Sequence, residues 1–494
     1  MNLLQKQGFF NTLILNAGTA LGFFNLVILF PRFLNLEQIG FYNLIIAVSG
    51  LYGLFASMGV SNVILRYFPY FQTKDNKHGG FITFVCLFSF LSFIAFTIIY
   101  VLFQRAVTDH YREKEGISYL VQYYYYIIPL SFFILAYTVV EGIARAVFKN
   151  VLSAFLKEVF LRFSSTICII LIMVEWFDYN DFIVVYICAN ALIVVILWYS
   201  IFREGHFEMS RISTDVLLKK REIANYGFYA VLSGGAITLI QYLDTLMLSS
   251  MKNDSLVGIY GTFFGIAVVI SLPAKALNKT SYQIVSNAWV ENDLEKIGRI
   301  YHKTSLVQFL VGCLLFIGLI VNKENILFLL KKPEFRGHFD VFVLVALAFL
   351  TDITGGLNSH IISSSRYFRF ITVTLVVGVA MCVSLNLLLI PSTGMVGAAV
   401  AYLATMVGLN FTYWLFIKIR FGLQPFDGSH LKVIFIAVAS LALGLIIPYF
   451  NNFFIDVPVR SFAVAFVYIL LAYLFKISPD INQLIDKVLQ RSKE

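Results

Sequence analysis

The feature that most constrains this chain is a pair of long stretches without a charged residue. No Asp, Glu, Lys or Arg occurs from Phe370 to Ile417, and none occurs from Gln7 to Pro31. Each stretch is longer than the roughly 20 apolar residues with which an α-helix crosses a bilayer. Across the 494 residues, 59% are hydrophobic and 13% are charged, whereas about a quarter of the residues in a soluble protein are charged. The sequence therefore predicts an all-α, polytopic membrane protein.

Clusters of charge and Gly/Pro breaks divide the chain into about 14 predicted spans. Three charged residues, Lys157, Glu158 and Arg162, crowd the first half of the fifth span and make it the weakest. The predicted spans are 8–30, 38–62, 79–104, 118–143, 153–175, 181–202, 223–250, 255–277, 303–322, 339–361, 367–390, 394–417, 431–450 and 458–476.

The distribution of Lys and Arg predicts the orientation. With a cytoplasmic N-terminus, most of the 37 basic residues fall on the cytoplasmic side, including those of the connector "REGHFEMSRISTDVLLKKRE". Cytoplasmic loops of membrane proteins carry an excess of Lys and Arg. Both termini are therefore expected in the cytoplasm. The same bias explains the net charge of +9 without a nucleic-acid partner.

Two short motifs indicate an internal repeat. Gly40-Phe41-Tyr42 opens the second span, and Gly258-Ile259-Tyr260 opens the eighth; "FDYNDFIVVYICANAL" and "IPSTGMVGAAVAYLAT" match in the same way. Parallel repeats related by an axis along the membrane normal are one known plan for transporters. This predicts an N-lobe at 1–215, a C-lobe at 216–425, and two further spans with a tail at 426–494. Chance similarity of such short motifs is the alternative.

The chain resembles a known family in several places. "NLLLIPSTGMVGAAVAYLAT" (386–405) and "LDTLMLSSMKNDSLVGIYGTFFGIAVVISLP" (243–273) resemble bacterial polysaccharide and O-antigen flippases, and so do "RFLNLEQIGFYNLI" and "MGVSNVILRYF" in the first half. The resemblance covers about 5–420. Their superfamily, the multidrug/oligosaccharidyl-lipid/polysaccharide exporters, also contains multidrug and toxic compound extrusion transporters and lipid II flippases. One departure is Thr245, where many members carry Arg after the acid that Asp244 matches.

The resemblance implies both a fold and a function. Two six-helix lobes would form a V around a central cavity, with two more helices at the C-terminus. The protein would carry an undecaprenyl-pyrophosphate-linked oligosaccharide, an O-antigen or capsule repeat unit, from the cytoplasmic to the periplasmic leaflet of the bacterial inner membrane by alternating access. It would act as a monomer, with a polysaccharide polymerase as a candidate partner.

A cavity for such a substrate needs cations, because a pyrophosphate has to be stabilised at membrane depth. Arg suits this role best through its bidentate donors. The candidates are Arg66, Arg145, Lys157, Arg162, Lys275, Arg366 and Arg369. Snorkelling to head groups is the alternative for Arg66, Lys275, Arg366 and Arg369. Local ion pairs at i,i+4 spacing are the alternative for the other two arginines, with Glu158 for Arg162 and Glu141 for Arg145.

Four polar residues inside spans are candidates for ion coupling. Glu141, Asp244 and Asp352 are ionisable groups at membrane depth, where function is the default hypothesis. Asn25 is included because the repeat places it close to the position of Asp244. Asp244 and Asp352 can each bind a coupling H⁺ or Na⁺; the alternative is a structural hydrogen bond or ion pair between helices. No other cofactor and no metal site is predicted.

The sequence lacks the motifs of common enzymes. It has no Walker A motif, no Gly-x-Ser-x-Gly and no HExxH. We therefore expect a transporter rather than an enzyme. Two alternatives stay open: an ion-coupled multidrug antiporter, whose cavity would be aromatic and acidic, and a membrane-embedded glycan-processing enzyme, whose outer loops would fold over a cleft of acid and base residues.

Overall fold

The computed structural model describes residues 3–73, 75–112, 119–147, 149–203, 205 and 208–477, which contain helices and no strand. In this part of the chain, thirteen helices are long and apolar enough to cross a membrane. The predicted all-α, polytopic class is confirmed. These helices are α1 (Leu13–Phe33), α2 (Leu36–Phe71), α3 (His78–Leu102), α4 (Tyr124–Ala146), α6 (Tyr179–Arg203), α7 (Lys220–Met251), α8 (Asp254–Asn278), α9 (Leu294–Val321), α10 (Pro333–Thr354), α11 (Arg369–Thr393), α12 (Met395–Phe421), α13 (Gly428–Ile446) and α14 (Phe453–Leu474).

The predicted fifth span is also helical. Its helix, α5, runs through Asn150–Phe155, a π turn at Leu156–Phe160 and Leu161–Met173. It is not among the thirteen apolar helices. The reason is its charge, since Lys157, Glu158 and Arg162 all lie within its first thirteen residues.

By their internal contacts the residues form two compact units. The first unit contains Met1–Gly261 and Asn386–Met395, and the second contains Thr262–Leu385 and Val396–Glu494. The predicted lobes are defined by the order of the helices along the chain, whereas these two units are defined by contacts. The predicted lobe boundaries therefore stay a prediction.

Several helices begin at side-chain caps that the sequence supplies. The Asn35 side chain accepts from the backbone N–H of Gln38 at 2.7 Å, and the Gln38 side chain accepts from the N–H of Asn35 at 2.9 Å. This reciprocal capping box starts α2. Asp293 and Asn452 cap α9 and α14 through their side chains. Each cap satisfies backbone donors that a helix start would otherwise leave open.

The two glycines of the repeat motifs lie against each other in the first unit. A Cβ on Gly40 would overlap with the carbonyl oxygen of Asp254 and lie 3.0 Å from the backbone N of Gly258. A Cβ on Gly258 would overlap with the carbonyl of Leu36 and lie 3.1 Å from the N of Gly40. The start of α2 and the start of α8 therefore approach to backbone contact, as small residues permit in membrane helices.

Gly40→Ala is expected to destabilise the protein by about 1–3 kcal/mol, the usual cost of overpacking. The atoms that the new methyl group would meet belong to backbone, so no side chain can rotate away. Thermal unfolding in detergent measures the change. Gly318→Ala is the matched control, because a Cβ there meets nothing within 4 Å. Equal melting temperatures of the two variants would contradict the close contact.

In the second unit, α13 and α14 pack on each other and on α9. A buried ion pair lies where they meet: Arg460 Nε and Nη2 each donate to Asp456 at 3.2 Å. Arg460 Nη1 also donates to the carbonyl of Gly444 at 2.7 Å, and Asn325 Nδ2 donates to Asp456 at 2.6 Å. Asp456 is 0% and Arg460 is 6% exposed. This network joins α13, α14 and the short helix Lys323–Leu330.

Candidate functional site

Three of the predicted cations lie on α4 and α5, two helices of the first unit that contact each other. Arg145 Nη2 donates to Glu141 at 2.7 Å, and Arg162 Nη2 lies 3.0 Å from Glu158. Lys157 Nζ lies over the ring of Tyr137, 5.5 Å from its centroid. We call Arg145, Lys157, Arg162, Glu141 and Glu158 the charged cluster. Its formal charges sum to one net positive charge.

Arg162 is the member of the cluster with an open hydrogen-bonding group. Its Nη1 is buried and has no hydrogen-bond partner among the described residues. A buried donor of this kind costs free energy unless a partner arrives. An anionic oxygen atom of a bound molecule would supply that partner.

The close packing of α1 against α5 positions Arg162. A Cβ on Gly22 would lie 3.1 Å from Cδ and Nε of Arg162, and one on Gly18 would overlap with the carbonyl of Glu158. The two glycines thus let α1 lie directly under the guanidinium group. The sequence analysis did not use them, although the Gly-x-x-x-Gly spacing of Gly18 and Gly22 is a known signal of close helix packing in membranes.

Asn25 lies beside this packing contact and hydrogen-bonds across it. It begins a π turn of α1, Asn25–Leu29. Its Nδ2 donates to the carbonyl of Arg162 at 2.8 Å, and its Oδ1 accepts from Thr166 Oγ1 at 2.8 Å. Asn25 therefore joins α1 to α5. Its predicted part in ion coupling stays a prediction.

Asp244 on α7 is fully buried, at 0% exposure. Its carboxylate accepts from Tyr260 Oη at 2.6 Å and from Asn386 Nδ2 at 2.7 Å. All three residues belong to the first unit. We call them the Asp244 cluster. Tyr260 and Asn386 are not predicted as its partners from the sequence, although both lie in the segments that carry the family resemblance.

Known proteins resemble this chain in sequence and in fold. The sequence model of a family described as "Polysaccharide biosynthesis protein" matches residues 5–282, which is more than half of the chain. This chain belongs to that family. The resemblance to polysaccharide flippases drawn from the sequence is thereby confirmed at the level of the family. The chain is a membrane protein.

Curated relatives of this family member come from archaea. It is 24% identical over 225 residues to Agl15 of Haloferax volcanii, a probable low-salt glycan biosynthesis flippase, with 42% of this chain and 47% of the relative covered. It is 28% identical over 176 residues to AglR of the same organism, a probable flippase, with 33% and 35% covered. The chain thus spans less than half the length of these two relatives.

Solved structures show the fold of the family member. A structure of the lipid II flippase MurJ, in an inward closed conformation, is similar with a TM-score of 0.76 at 12% identity, covering 94% of this chain and 98% of that one. An inward-facing multidrug resistance transporter of the MATE family gives 0.65 at 14% identity, covering 81% and 94%. At these identities the likeness concerns the fold alone.

The family match covers some candidates and not others. Asp352, Arg366 and Arg369 lie outside the matched residues 5–282. The remaining candidates lie within the match: Asn25, Arg66, Glu141, Arg145, Lys157, Arg162, Asp244 and Lys275. The charged cluster and Asp244 thus lie within the matched residues.

The other predicted cations are exposed. Arg66 packs over the ring of Tyr226, with 4.3 Å from Cζ to the centroid. In the second unit, Arg366 and Arg369 lie near the start of α11, over the rings of the residues beside them. Lys275 is exposed on α8. Their part in substrate binding stays a prediction.

Asp352 is exposed near the end of α10. Asn410 Nδ2 on α12 lies 3.4 Å from its carboxylate, and Asn410 Oδ1 accepts from Asn358 Nδ2 at 2.7 Å. Asp352, Asn410 and Asn358 therefore form a second polar group, within the second unit. Among the described residues, no group of three or more His, Cys, Asp or Glu side chains is placed to hold a metal ion.

Proposed function

We propose that the protein is a flippase that moves a lipid-linked oligosaccharide across the membrane by alternating access. The family match and the flippase names of its relatives support this function. The observation that carries it in the structure is Arg162, whose Nη1 is buried without a hydrogen-bond partner in the described part of the chain. A transporter of a pyrophosphate-linked substrate needs such a donor inside the membrane region.

The charged cluster offers a physical route for the phosphate. Glu158 pairs with Arg162 through Nη2 and leaves the hydrogen-bond donors of Nη1 open. Lys157 is exposed. Glu158 is the next residue along the helix and points to a different side, so the two side chains do not face each other. A phosphate oxygen between Lys157 and Arg162 would receive charge-assisted hydrogen bonds, which are shorter and stronger than neutral ones. The sugars would contact aromatic and amide side chains.

The finer features of the proposal follow the family resemblance. The substrate is an undecaprenyl-pyrophosphate-linked repeat unit of O-antigen or capsule, moved from the cytoplasmic to the periplasmic leaflet of a bacterial inner membrane. The protein acts as a monomer with both termini in the cytoplasm, supplies a polysaccharide polymerase with its substrate, and catalyses no covalent reaction.

Ion coupling through Asp244 is part of the proposal, with H⁺ or Na⁺ as the ion. Asp244→Asn keeps the shape of the side chain and removes its charge. We expect it to abolish the dependence of translocation on an ion gradient while the protein folds normally. The measurement is translocation into proteoliposomes with and without a gradient. Tyr260→Phe is the control, since it removes one hydrogen bond, worth about 1 kcal/mol, and leaves the charge. Gradient dependence that survives in Asp244→Asn would make Asp244 a structural residue.

Deletion of the gene in its host tests the function as a whole. We expect surface polysaccharide to disappear and lipid-linked units to accumulate on the cytoplasmic face, and a plasmid copy to restore the polysaccharide. Normal surface polysaccharide together with raised sensitivity to toxic cations would overturn the proposal in favour of a multidrug antiporter.

A further inference from the structure

A cavity of about 290 Å³ lies in the second unit, between α9, α10, α12 and the connector that precedes α13. Its walls are mainly apolar, and five of its twelve lining residues are aromatic. The rings come from Tyr301, Phe309, Phe411, Trp414 and Phe426. Small-molecule sites are typically apolar concave pockets with a few convergent polar groups. We call this cavity the aromatic pocket.

The aromatic pocket lies close to the ends of three membrane helices. Tyr301 is near the beginning of α9, Trp414 is near the end of α12, and Thr354 is the last residue of α10. At 1.5 Å per residue, the first two lie about 10 Å from the ends of their helices. Trp and Tyr are enriched near the ends of membrane helices, where lipid chains meet head groups.

Two polar atoms of the pocket walls have no partner among the described residues. Tyr301 Oη and Trp414 Nε1 are both buried without a hydrogen bond, and Tyr301 is 0% exposed. An indole N–H can only donate, so its missing partner has to be an acceptor. The hydroxyl groups of Thr351 and Thr354 donate to carbonyls of their own helix. An occupant with an oxygen acceptor would satisfy the two open donors.

The mouth of the pocket lies on an apolar face of α12. Val407 and Phe411 line the pocket and are 46% and 56% exposed. Leu415 and Ile419 continue the same exposed face at helical spacing. Lys418 Nζ lies 4.9 Å from the ring centroid of Trp414. An occupant can therefore enter from the hydrocarbon region with its polar end toward a cation.

We propose that the aromatic pocket binds one phosphate-bearing lipid. The first part of a chain lies among the rings of Phe309, Phe411 and Phe426, and an oxygen near the head group accepts from Tyr301 and Trp414. Lys418 attracts the phosphate. This site is separate from the charged cluster and does not depend on the proposed transport function.

Native mass spectrometry of the delipidated full chain, titrated with phosphatidylglycerol, tests the proposal. We expect one saturable lipid. Tyr301→Phe and Trp414→Phe should each weaken its binding about fivefold, the effect of losing one hydrogen bond. Tyr468→Phe and Trp289→Phe are matched controls, because these side chains donate to the carbonyls of Leu310 and Ile361 and do not line the pocket. Their lipid affinity should equal that of the unmodified chain.

Absence of a saturable lipid, or equal affinity in the pocket variants and the controls, would overturn the proposal. Competition identifies the source of the lipid. If undecaprenyl phosphate displaces phosphatidylglycerol, the pocket is assigned to a carrier lipid. If phosphatidylglycerol stays bound in the presence of undecaprenyl phosphate, the pocket is assigned to a membrane phospholipid. Thermal unfolding of each variant shows whether a loss of binding comes from a loss of fold.

Discussion

Replacement of Arg162 by Gln is expected to reduce translocation of lipid-linked oligosaccharide by at least about 30-fold, equivalent to about 2 kcal/mol. A hydrogen bond to a charged group contributes about 1.5–3 kcal/mol, and Arg162→Gln removes the charged donors that the phosphate would use. Arg162 is the member of the charged cluster with a buried nitrogen that has no hydrogen-bond partner in the part of the chain described. The rate of translocation in proteoliposomes measures the effect.

Two further variants separate substrate binding from local stability. Arg299→Gln breaks an ion pair of the same i,i+4 spacing, with Glu295 at 3.6 Å, but both side chains are exposed. We expect it to leave translocation unchanged, since exposed pairs contribute little. Glu158→Gln removes the partner of Arg162 and keeps the cation, so transport should persist. Full activity of Arg162→Gln, or equal loss in Arg299→Gln, would exclude Arg162 as a phosphate-binding residue.

Asp456→Ala is expected to lower the free energy of unfolding by about 3–5 kcal/mol, the cost of leaving one partner of a buried ion pair alone. Arg460 would keep its hydrogen bonds to the carbonyls of Gly444 and Pro448 but would lose its counter-charge. Asn325 would lose an acceptor at 2.6 Å. Thermal unfolding in detergent, followed by tryptophan fluorescence, measures the change.

The double variant Asp456→Leu with Arg460→Met tests whether charge is the cause. Apolar residues of similar volume often replace a buried ion pair at little cost. We therefore expect the double variant to melt at a higher temperature than Asp456→Ala. A melting temperature as low as that of Asp456→Ala would show that the hydrogen bonds to backbone carry the stability instead.

The membrane helices could be predicted from the sequence, and the reason is physical. A span has to satisfy its backbone hydrogen bonds internally and expose apolar side chains to lipid, so its signal is local and strong. The weak signal at the fifth span also had a local cause in Lys157, Glu158 and Arg162. These charges keep α5 out of the apolar helices and make it the helix that carries the charged cluster.

The contacts between helices could not be predicted in the same way. The sequence predicts Asp244 as an ionisable group at membrane depth, but its partners Tyr260 and Asn386 come from α8 and α11. Their meeting depends on tertiary packing, which one sequence does not specify. Likewise, the repeat motif marked Gly40 and Gly258 as similar, yet only the structure shows that they contact each other.

Translocation of a fluorescent lipid-linked oligosaccharide in proteoliposomes tests the central claim most directly. The label on the inner leaflet is protected from a membrane-impermeant quencher unless a flippase exposes it. We predict that the unmodified protein makes the protected fraction accessible and that Arg162→Gln leaves most of it protected. A protected fraction equal to that of protein-free liposomes would contradict the assignment of this chain as a lipid-linked oligosaccharide flippase.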